Sequence, residues 1–319
     1  MVRVGVNEWV NESLLKNFTK EIKLVRIAEE PQGEIEVDFW IPLSHPNLVP
    51  GQWPHLKGVR VVQAPWAGVD LLRHVFPPEV VLCDARGVHD TPTAEWAVSA
   101  VLAMQKYLPF YAEVQRQGDW NRRLQAKEIY RLSHGKEAGP PALVDEVADT
   151  TILIVGYGSI GRAIEARLAP FGPKFLRVAR SPREGVEPVS KLDELLGKAD
   201  IVILITPLTS ETRHLFDAKR LAKLKPGALL VNAARGAIVD TDALLDALNE
   251  KKIRAAIDVT DPEPLPSGHP LWKAPNLLIT PHVAGDSAKF MKRVLTMANE
   301  QVVRFVRGQP LLNVVSGEY

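Results

Sequence analysis

The sequence holds one cysteine, Cys83, in 319 residues. That excludes an internal disulfide and any zinc site built on a cysteine cluster, and it fits a reducing compartment. Neither sign of charge is in excess: 39 Lys and Arg stand against 38 Asp and Glu, a formal net charge of +1. No global field draws the chain to nucleic acid or to an anionic membrane, so any ligand must be recognised locally. Long hydrophobic runs are missing as well. The longest, such as residues 201–205, fall far short of the roughly 18 residues that a membrane helix needs. The opening MVRVGVNEWVNESLL has no basic region followed by an apolar stretch, so no secretory signal is expected. These absences lead to the expectation of a cytoplasmic protein without a metal.

Apolar residues make up 46% of the chain and charged residues 24%, ordinary globular values that exclude a disordered or fibrous chain. At roughly 150 residues per domain the length predicts two domains. Up to about Arg86, β-rich runs at 2–6, 35–41, 59–63 and 80–83 alternate with polar or helical stretches such as 13–20, which predicts a small α/β unit. Residues 93–117 read as one long, mostly apolar helix. Residues 121–149 are polar, carry the breaker Gly139-Pro140-Pro141, and read as a surface excursion. Then come six short Val, Ile and Leu runs at 151–155, 174–179, 201–205, 228–233, 255–259 and 277–280, separated by helices or turns. Near-continuous apolar strands alternating with helices predict a parallel sheet covered on both faces, the doubly wound dinucleotide fold. A last helix, at about 288–307, is expected to return to the first unit.

Directly after the run TILIV stands Gly156-Tyr157-Gly158-Ser159-Ile160-Gly161, followed by the helix former RAIEARLA. In this strand-to-helix setting Gly156 permits the tight turn, Gly158 lets a pyrophosphate approach the backbone, and Gly161 allows close helix packing. The position that sorts NAD from NADP lies about 20 residues further on. There the sequence has Arg180, Ser181 and Arg183, donors suited to a 2′-phosphate, where an acidic residue would repel it. A solvated turn is the ordinary alternative, and NADP is favoured over NAD.

Three later runs end in Asn232-Ala233-Ala234-Arg235-Gly236, in Asp258-Val259-Thr260-Asp261-Pro262-Glu263-Pro264 and in Thr280-Pro281-His282-Val283-Ala284-Gly285. Taken singly, Arg235, Glu263 and His282 each have an ordinary structural explanation. Together beside a dinucleotide loop they match the needs of hydride transfer to a ketone. A histidine can change charge near neutrality, a carboxylate can orient and stabilise its protonated form, and a guanidinium can hold a substrate carboxylate.

At GYGSIG, NAARG, DVTDPEP and TPHVAG, in this order and spacing, the chain resembles the D-isomer-specific 2-hydroxyacid dehydrogenase family, which includes glyoxylate and hydroxypyruvate reductases. The likeness extends weakly to Gly68-Val69-Asp70 and Thr93-Ala94-Glu95. It implies an α/β fold of two domains: a Rossmann cofactor domain, residues 94–286, inserted in a smaller flavodoxin-like substrate domain, residues 1–93 and 287–319. It implies Arg235 as the binder of substrate carboxylate and carbonyl, His282 as acid/base and Glu263 as its partner. It further implies that Asp258 contacts the nicotinamide amide, that Ala233 and Thr206-Pro207 line the cofactor, and that Ser159 and Ile160 offer backbone amides to the pyrophosphate. Ala67 and Gly68 would offer N–H groups to the substrate carboxylate beside Trp66, whose size suits pocket wall and packing equally. An interdomain cleft with hinges near Ala94 and Asp286, and a homodimer formed mostly by the cofactor domains, are also implied. Two departures bear on substrate choice: the stretch after Trp120, including 132–141, and Thr260-Asp261 where an aromatic residue is common. The expected reaction is reduction of a small 2-oxo acid, with hydride from NADPH and a proton from His282. The alternatives are oxidation of formate or phosphite, although formate-oxidising relatives have Gln where Glu263 stands, and a dinucleotide-sensing, corepressor-like protein with little turnover.

Overall fold

A computed structural model describes residues 1–134 and 144–317, so most of the 132–141 stretch lies outside the described residues. The chain falls into two compact units, one of residues 1–89 with the chain from Asp286 onward, the other of Asp90–Gly285. The sequence expectation put the crossings at 93/94 and 286/287; the first falls earlier because Asp90 already opens the Asp90–Gln105 helix.

In the first unit, β1 (Val2–Asn7), β2 (Ile22–Ile27), β4 (Phe39–Ile41), β6 (Val61–Gln63) and β7 (Val81–Cys83) form a parallel sheet in the order β2-β1-β4-β6-β7. β3 (Ile35–Glu36) and β5 (Leu56–Lys57) make a separate pair. The single run expected at 35–41 is thus split. The cause lies at Asp38, whose carboxylate accepts the Arg3 backbone N–H at 2.8 Å and the Arg3 Nε at 3.1 Å, so the chain changes partner there from β5 to β1. β2 was not anticipated, since Lys23 and Arg26 interrupt its apolar pattern; it is an edge strand paired only with β1. The Phe290–Val306 helix packs on this sheet, burying Val294, Leu295, Ala298 and Val302 against Val4, Val6, Phe39 and Ile41. Those positions lie on one helical face.

The second unit holds β8 (Thr151–Val155), β9 (Lys174–Ala179), β10 (Glu187–Pro188), β11 (Ile201–Leu204), β12 (Leu229–Asn232), β13 (Arg254–Ile257) and β14 (Leu277–Ile279). All pair in parallel, in the order β10-β9-β8-β11-β12-β13-β14. The two-residue period sorts the side chains. Leu153, Val155, Val202, Leu204 and Leu230 join Leu244, Ala247 and Leu248 of the Thr241–Asn249 helix on one face. Ile152, Ile154, Ile201, Ile203 and Val231 join Ala94, Ala97, Val101, Ile164 and Leu168 on the other. Both faces being covered, the strands read as continuous apolar runs.

The long helix expected over 93–117 is two helices, Asp90–Gln105 and Leu108–Gln117. Tyr107 breaks it with a left-handed backbone (φ 54°), just before Pro109 in the first turn of the next helix. The turn buries Tyr107 and lets its hydroxyl donate to Asp145 at 3.0 Å. The polar excursion is also more ordered than its composition implied. Residues Trp120–Gln125 form a 3-10 helix capped by Asp119, and Ala126–His134 an α-helix. Among the described residues no helix is long and apolar enough to cross a membrane, and no cluster of His, Cys, Asp or Glu could hold a metal.

Candidate active site

The strand order reverses at β8 and β11: β9 and β10 lie on one side and β12 to β14 on the other. Loops leaving the carboxyl ends of strands at such a switch point form the ligand crevice of open α/β sheets. Here the loops are Gly156–Gly161 after β8 and Thr206-Pro207 after β11. They are packed together: Gly156 has φ +99°, and a Cβ on it would lie 2.6 Å from the backbone of Ile205 and Thr206. A Cβ on Gly161 would meet the Gly156 carbonyl oxygen at 2.9 Å. Gly158 differs from both, since a Cβ there would meet nothing within 4 Å. It is exposed at the start of the Ser159–Leu168 helix, whose first-turn N–H groups lack intrahelical acceptors. The Ser159 hydroxyl donates to Asp90 at 2.9 Å. This cradle, which a side chain at Gly158 would fill, fits a dinucleotide pyrophosphate.

Past β9, Arg180, Ser181 and Arg183 are all exposed. Arg183 is held towards the glycine loop: its Nη2 donates to the Tyr157 carbonyl at 2.5 Å, its Nη1 to the Ser181 carbonyl at 3.3 Å, and its guanidinium lies 5.5 Å from the Tyr157 ring centroid. On the same ring lies Arg177, but it is clamped by both oxygens of Glu165 at 2.6 and 2.5 Å.

The three catalytic candidates follow β12, β13 and β14 in turn. Arg235 leaves β12 half-buried. Asn232, 1% exposed, orders its loop by donating to the Arg235 carbonyl at 3.0 Å and accepting the Ala234 N–H at 3.1 Å. Ala233 follows β12 directly, its N–H bonded to the Leu204 carbonyl. His282 Nδ1 and Glu263 Oε1 are 2.5 Å apart, the spacing of a charge-assisted hydrogen bond. That bond raises the histidine above its ordinary pKa and holds the glutamate below its own. Arg235 acts on both, pulling the glutamate further down and opposing the histidine's rise, so its charge is within electrostatic reach of the pair. Nδ1 being committed to Glu263, Nε2 is the ring atom left to exchange a proton with a ligand.

Asp258 is 2% exposed beneath His282. Its Oδ1 accepts the Val283 N–H at 2.9 Å and the Thr280 hydroxyl at 2.5 Å, and its Oδ2 accepts the Ala284 N–H at 2.8 Å. Sequence reading assigned Asp258 to the cofactor alone and missed this role. It also missed Gly236, where a Cβ would fall 2.0 Å from the Thr260 carbonyl, and Tyr157 as the support of Arg183.

Residues 98–284, more than half of the chain, match the family described as D-isomer specific 2-hydroxyacid dehydrogenase, NAD binding domain. The chain belongs to the D-isomer specific 2-hydroxyacid dehydrogenase family. It is 35% identical over 313 residues to a glyoxylate reductase of Thermofilum pendens, covering 93% of this chain and 82% of that one. Against a mitochondrial formate dehydrogenase of Solanum tuberosum it is 34% identical over 324 residues, 96% of this chain and 80% of that one. Its fold is similar to a D-isomer specific 2-hydroxyacid dehydrogenase from Xanthobacter autotrophicus Py2 solved with NADPH and MES, with a TM-score of 0.80, 28% identity, and coverage of 99% and 98% of the two chains. This 2-hydroxyacid dehydrogenase is therefore an NAD(P)-dependent oxidoreductase with a Rossmann-type cofactor unit.

The expected substrate loop belongs to the other unit. Trp66 packs there against the cluster of Val62, Val69 and Leu72, and its carbonyl accepts the Ala85 N–H at 2.9 Å. Ala67 and Gly68 are half-buried. His89 bonds the preceding Pro65 carbonyl at 3.1 Å and packs its ring at a tilt against Phe290, ring centroids 5.4 Å apart, so this turn is tied to the last helix.

Proposed function

We propose that this dehydrogenase reversibly reduces a small 2-oxo acid of the glyoxylate or hydroxypyruvate type to the D-2-hydroxy acid, preferring NADP to NAD. The observation that carries this reading is the His282–Glu263 pair at 2.5 Å with Arg235 acting on both. A reduced nicotinamide, when bound, supplies the hydride to the carbonyl carbon. The protein does the rest. Arg235 grips the substrate carboxylate and polarises the adjoining carbonyl. As negative charge grows on the carbonyl oxygen, His282 gives it the Nε2 proton, and Glu263 stabilises the imidazolium before transfer. Backbone N–H groups at Ala67 and Gly68 are the proposed second hold on the carboxylate, with Trp66 as a wall.

For the cofactor, Gly156, Gly158, Gly161 and the amides of Ser159 and Ile160 are assigned to the pyrophosphate. Thr206, Pro207 and Ala233 line the cofactor, and Asp258, which retains a lone pair on Oδ2, takes the nicotinamide amide. Arg180, Ser181 and Arg183 are assigned to the 2′-phosphate; the anchoring of Arg183 on Tyr157 supports this, because a pre-positioned guanidinium loses less freedom on binding. A homodimer through the second unit is supported by the exposed Leu108, Trp120 and Leu124, and a cytoplasmic location by the lone, buried Cys83.

The test follows nicotinamide absorbance at 340 nm with glyoxylate, hydroxypyruvate, pyruvate and bulkier 2-oxo acids, each with NADPH and with NADH. His282→Ala should lower kcat by at least about 100-fold while NADPH affinity changes little. Tight NADPH binding with no turnover on any acid would instead indicate a sensor, equal loss of turnover and binding in the variant would remove His282 from the chemistry, and a higher kcat/KM with NADH would overturn the cofactor assignment.

A further inference from the structure

His282 sits in an unfavourable place for a side chain. Its backbone is left-handed, φ 54°, a conformation that residues with a Cβ seldom adopt. Such a residue keeps its geometry only when its surroundings over-determine it, and here the surroundings are Asp258. The His282 N–H donates to the Asp258 carbonyl at 2.7 Å, while the next two amides, of Val283 and Ala284, donate to the two oxygens of the Asp258 carboxylate. The turn that aims the imidazole is therefore wrapped around one buried acid.

A hydrogen-bond chain fixes that acid from a distance in sequence. Trp96, in the Asp90–Gln105 helix, donates its indole Nε1–H to the Thr280 hydroxyl oxygen at 2.9 Å, and the Thr280 hydroxyl lies 2.5 Å from Asp258 Oδ1. An indole nitrogen can only donate, whereas a hydroxyl can donate or accept. With Trp96 occupying an acceptor position, the Thr280 proton is turned onto Asp258, and the same Oδ1 receives the Val283 amide. We propose that Trp96 is a positioning residue for His282, acting through Thr280 and Asp258. The proposal rests on the reading of His282 as the acid/base.

Three variants test it. Trp96→Phe keeps an aromatic ring and removes the N–H, Thr280→Val keeps the shape and removes the hydroxyl, and Thr280→Ser keeps the hydroxyl. Two readouts are taken: kcat, oxo-acid KM and NADPH Kd in reduction, and amide hydrogen exchange at Val283 and Ala284, which needs no turnover. Trp96→Phe and Thr280→Val should each lower kcat about tenfold, since a small misplacement of a reacting group is costly. NADPH Kd should hold within about twofold in Trp96→Phe, and Val283 exchange should speed up about tenfold in both variants. Thr280→Ser should restore both readouts. The double variant should lose no more kcat than the worse single one, because both act on one path. Unchanged Val283 exchange in Trp96→Phe overturns the proposal, as does a fall in kcat matched by an equal loss of NADPH affinity. If the unaltered protein reduces no oxo acid, the functional reading fails, and the exchange measurement still decides whether Trp96 holds the His282 turn.

Discussion

Gly236 offers a severe test of how the loops of the candidate site are held, because it brings two of them into backbone contact and has no side chain of its own to meet a ligand. It follows Arg235 directly, and its Cα faces the backbone of Thr260 and Asp261, two residues ahead of Glu263. A Cβ added there would lie 2.0 Å from the Thr260 carbonyl carbon and oxygen and 2.6 Å from the Asp261 nitrogen. Ordinary contact begins at 3.4 Å, so Gly236→Ala must drive the two backbones apart by about 1.4 Å. No flexible side-chain tip is available to yield. A displacement of that size between Arg235 and the His282–Glu263 pair should lower kcat about 100-fold, as misplacements near 1 Å do. Overpacking should cost about 1–3 kcal/mol of stability. The glycine loop lies after a different strand, so NADPH Kd should stay near its original value. Steady-state reduction at 340 nm, fluorescence titration with NADPH and urea unfolding report these three quantities separately. Gly158→Ala is the matched control. Its methyl meets no protein atom within 4 Å, so stability should be unchanged, yet NADPH affinity should fall because the methyl occupies the phosphate cradle. Retention of kcat within about twofold by Gly236→Ala would refute the idea that close backbone contact sets the spacing of the catalytic groups.

Two further outcomes follow from buried and half-buried charges. In the proposed mechanism reduction requires protonated His282, whose pKa is raised above its ordinary 6.5 chiefly by Glu263. Glu263→Gln should therefore move the alkaline limb of the kcat/KM profile for reduction to lower pH, and an unmoved limb would dissociate the pair. The effect on stability should be at most about 1 kcal/mol, since the side chains are 46% and 39% exposed and solvent screens them. What the raised histidine contributes is fully present below 6.5 and is lost as pH rises through its folded value; what the depressed glutamate contributes is present above its unfolded value and lost as pH falls through the folded one. At the amino end of β13, away from the candidate site, Arg254 is 3% exposed and bonds the Gly227 and Met104 carbonyls and Gln105 Oε1, with Asp145 at 3.6 Å. Arg254→Met should cost about 3–5 kcal/mol in urea unfolding by stranding buried acceptors and the charge of Asp145, and a loss below about 1 kcal/mol would show that the site relaxes.

The parallel sheet of the second unit was legible because burial on both faces writes each strand as an uninterrupted apolar run. The six runs appear as β8, β9 and β11 to β14 within one or two residues of the expected ends. The two-residue β10 carries no such signal. In the first unit the edge strand β2 was hidden by Lys23 and Arg26, and the 35–41 run gave no hint that Asp38 would redirect it. Composition also misread the chain after the Asp90–Gln105 helix. Apolar residues at helical spacing continue past residue 105, but Tyr107 turns out of the helix to reach Asp145, a partner 38 residues away that local periodicity cannot register.

The candidate site divides along the same physical line. Residues proposed to meet a ligand must carry particular chemistry at particular strand ends, so the candidates Arg235, Glu263, His282 and the glycine loop stand out of the sequence. Residues that hold them in place need only a donor, an acceptor or the lack of a side chain, and such requirements are common in any chain. Trp96 and Thr280 are 184 positions apart, and nothing in either segment names the other. Asn232 did leave a trace, as a polar residue closing an apolar strand, where burial without a partner would be costly. Asp258 left one too, for an acid at the end of β13 must find donors, and it finds them in the backbone of the His282 turn. A polar residue inside or just past an apolar strand therefore marks a bond that the fold has to complete. In this dehydrogenase those bonds converge on the loops that carry the guanidinium and the imidazole.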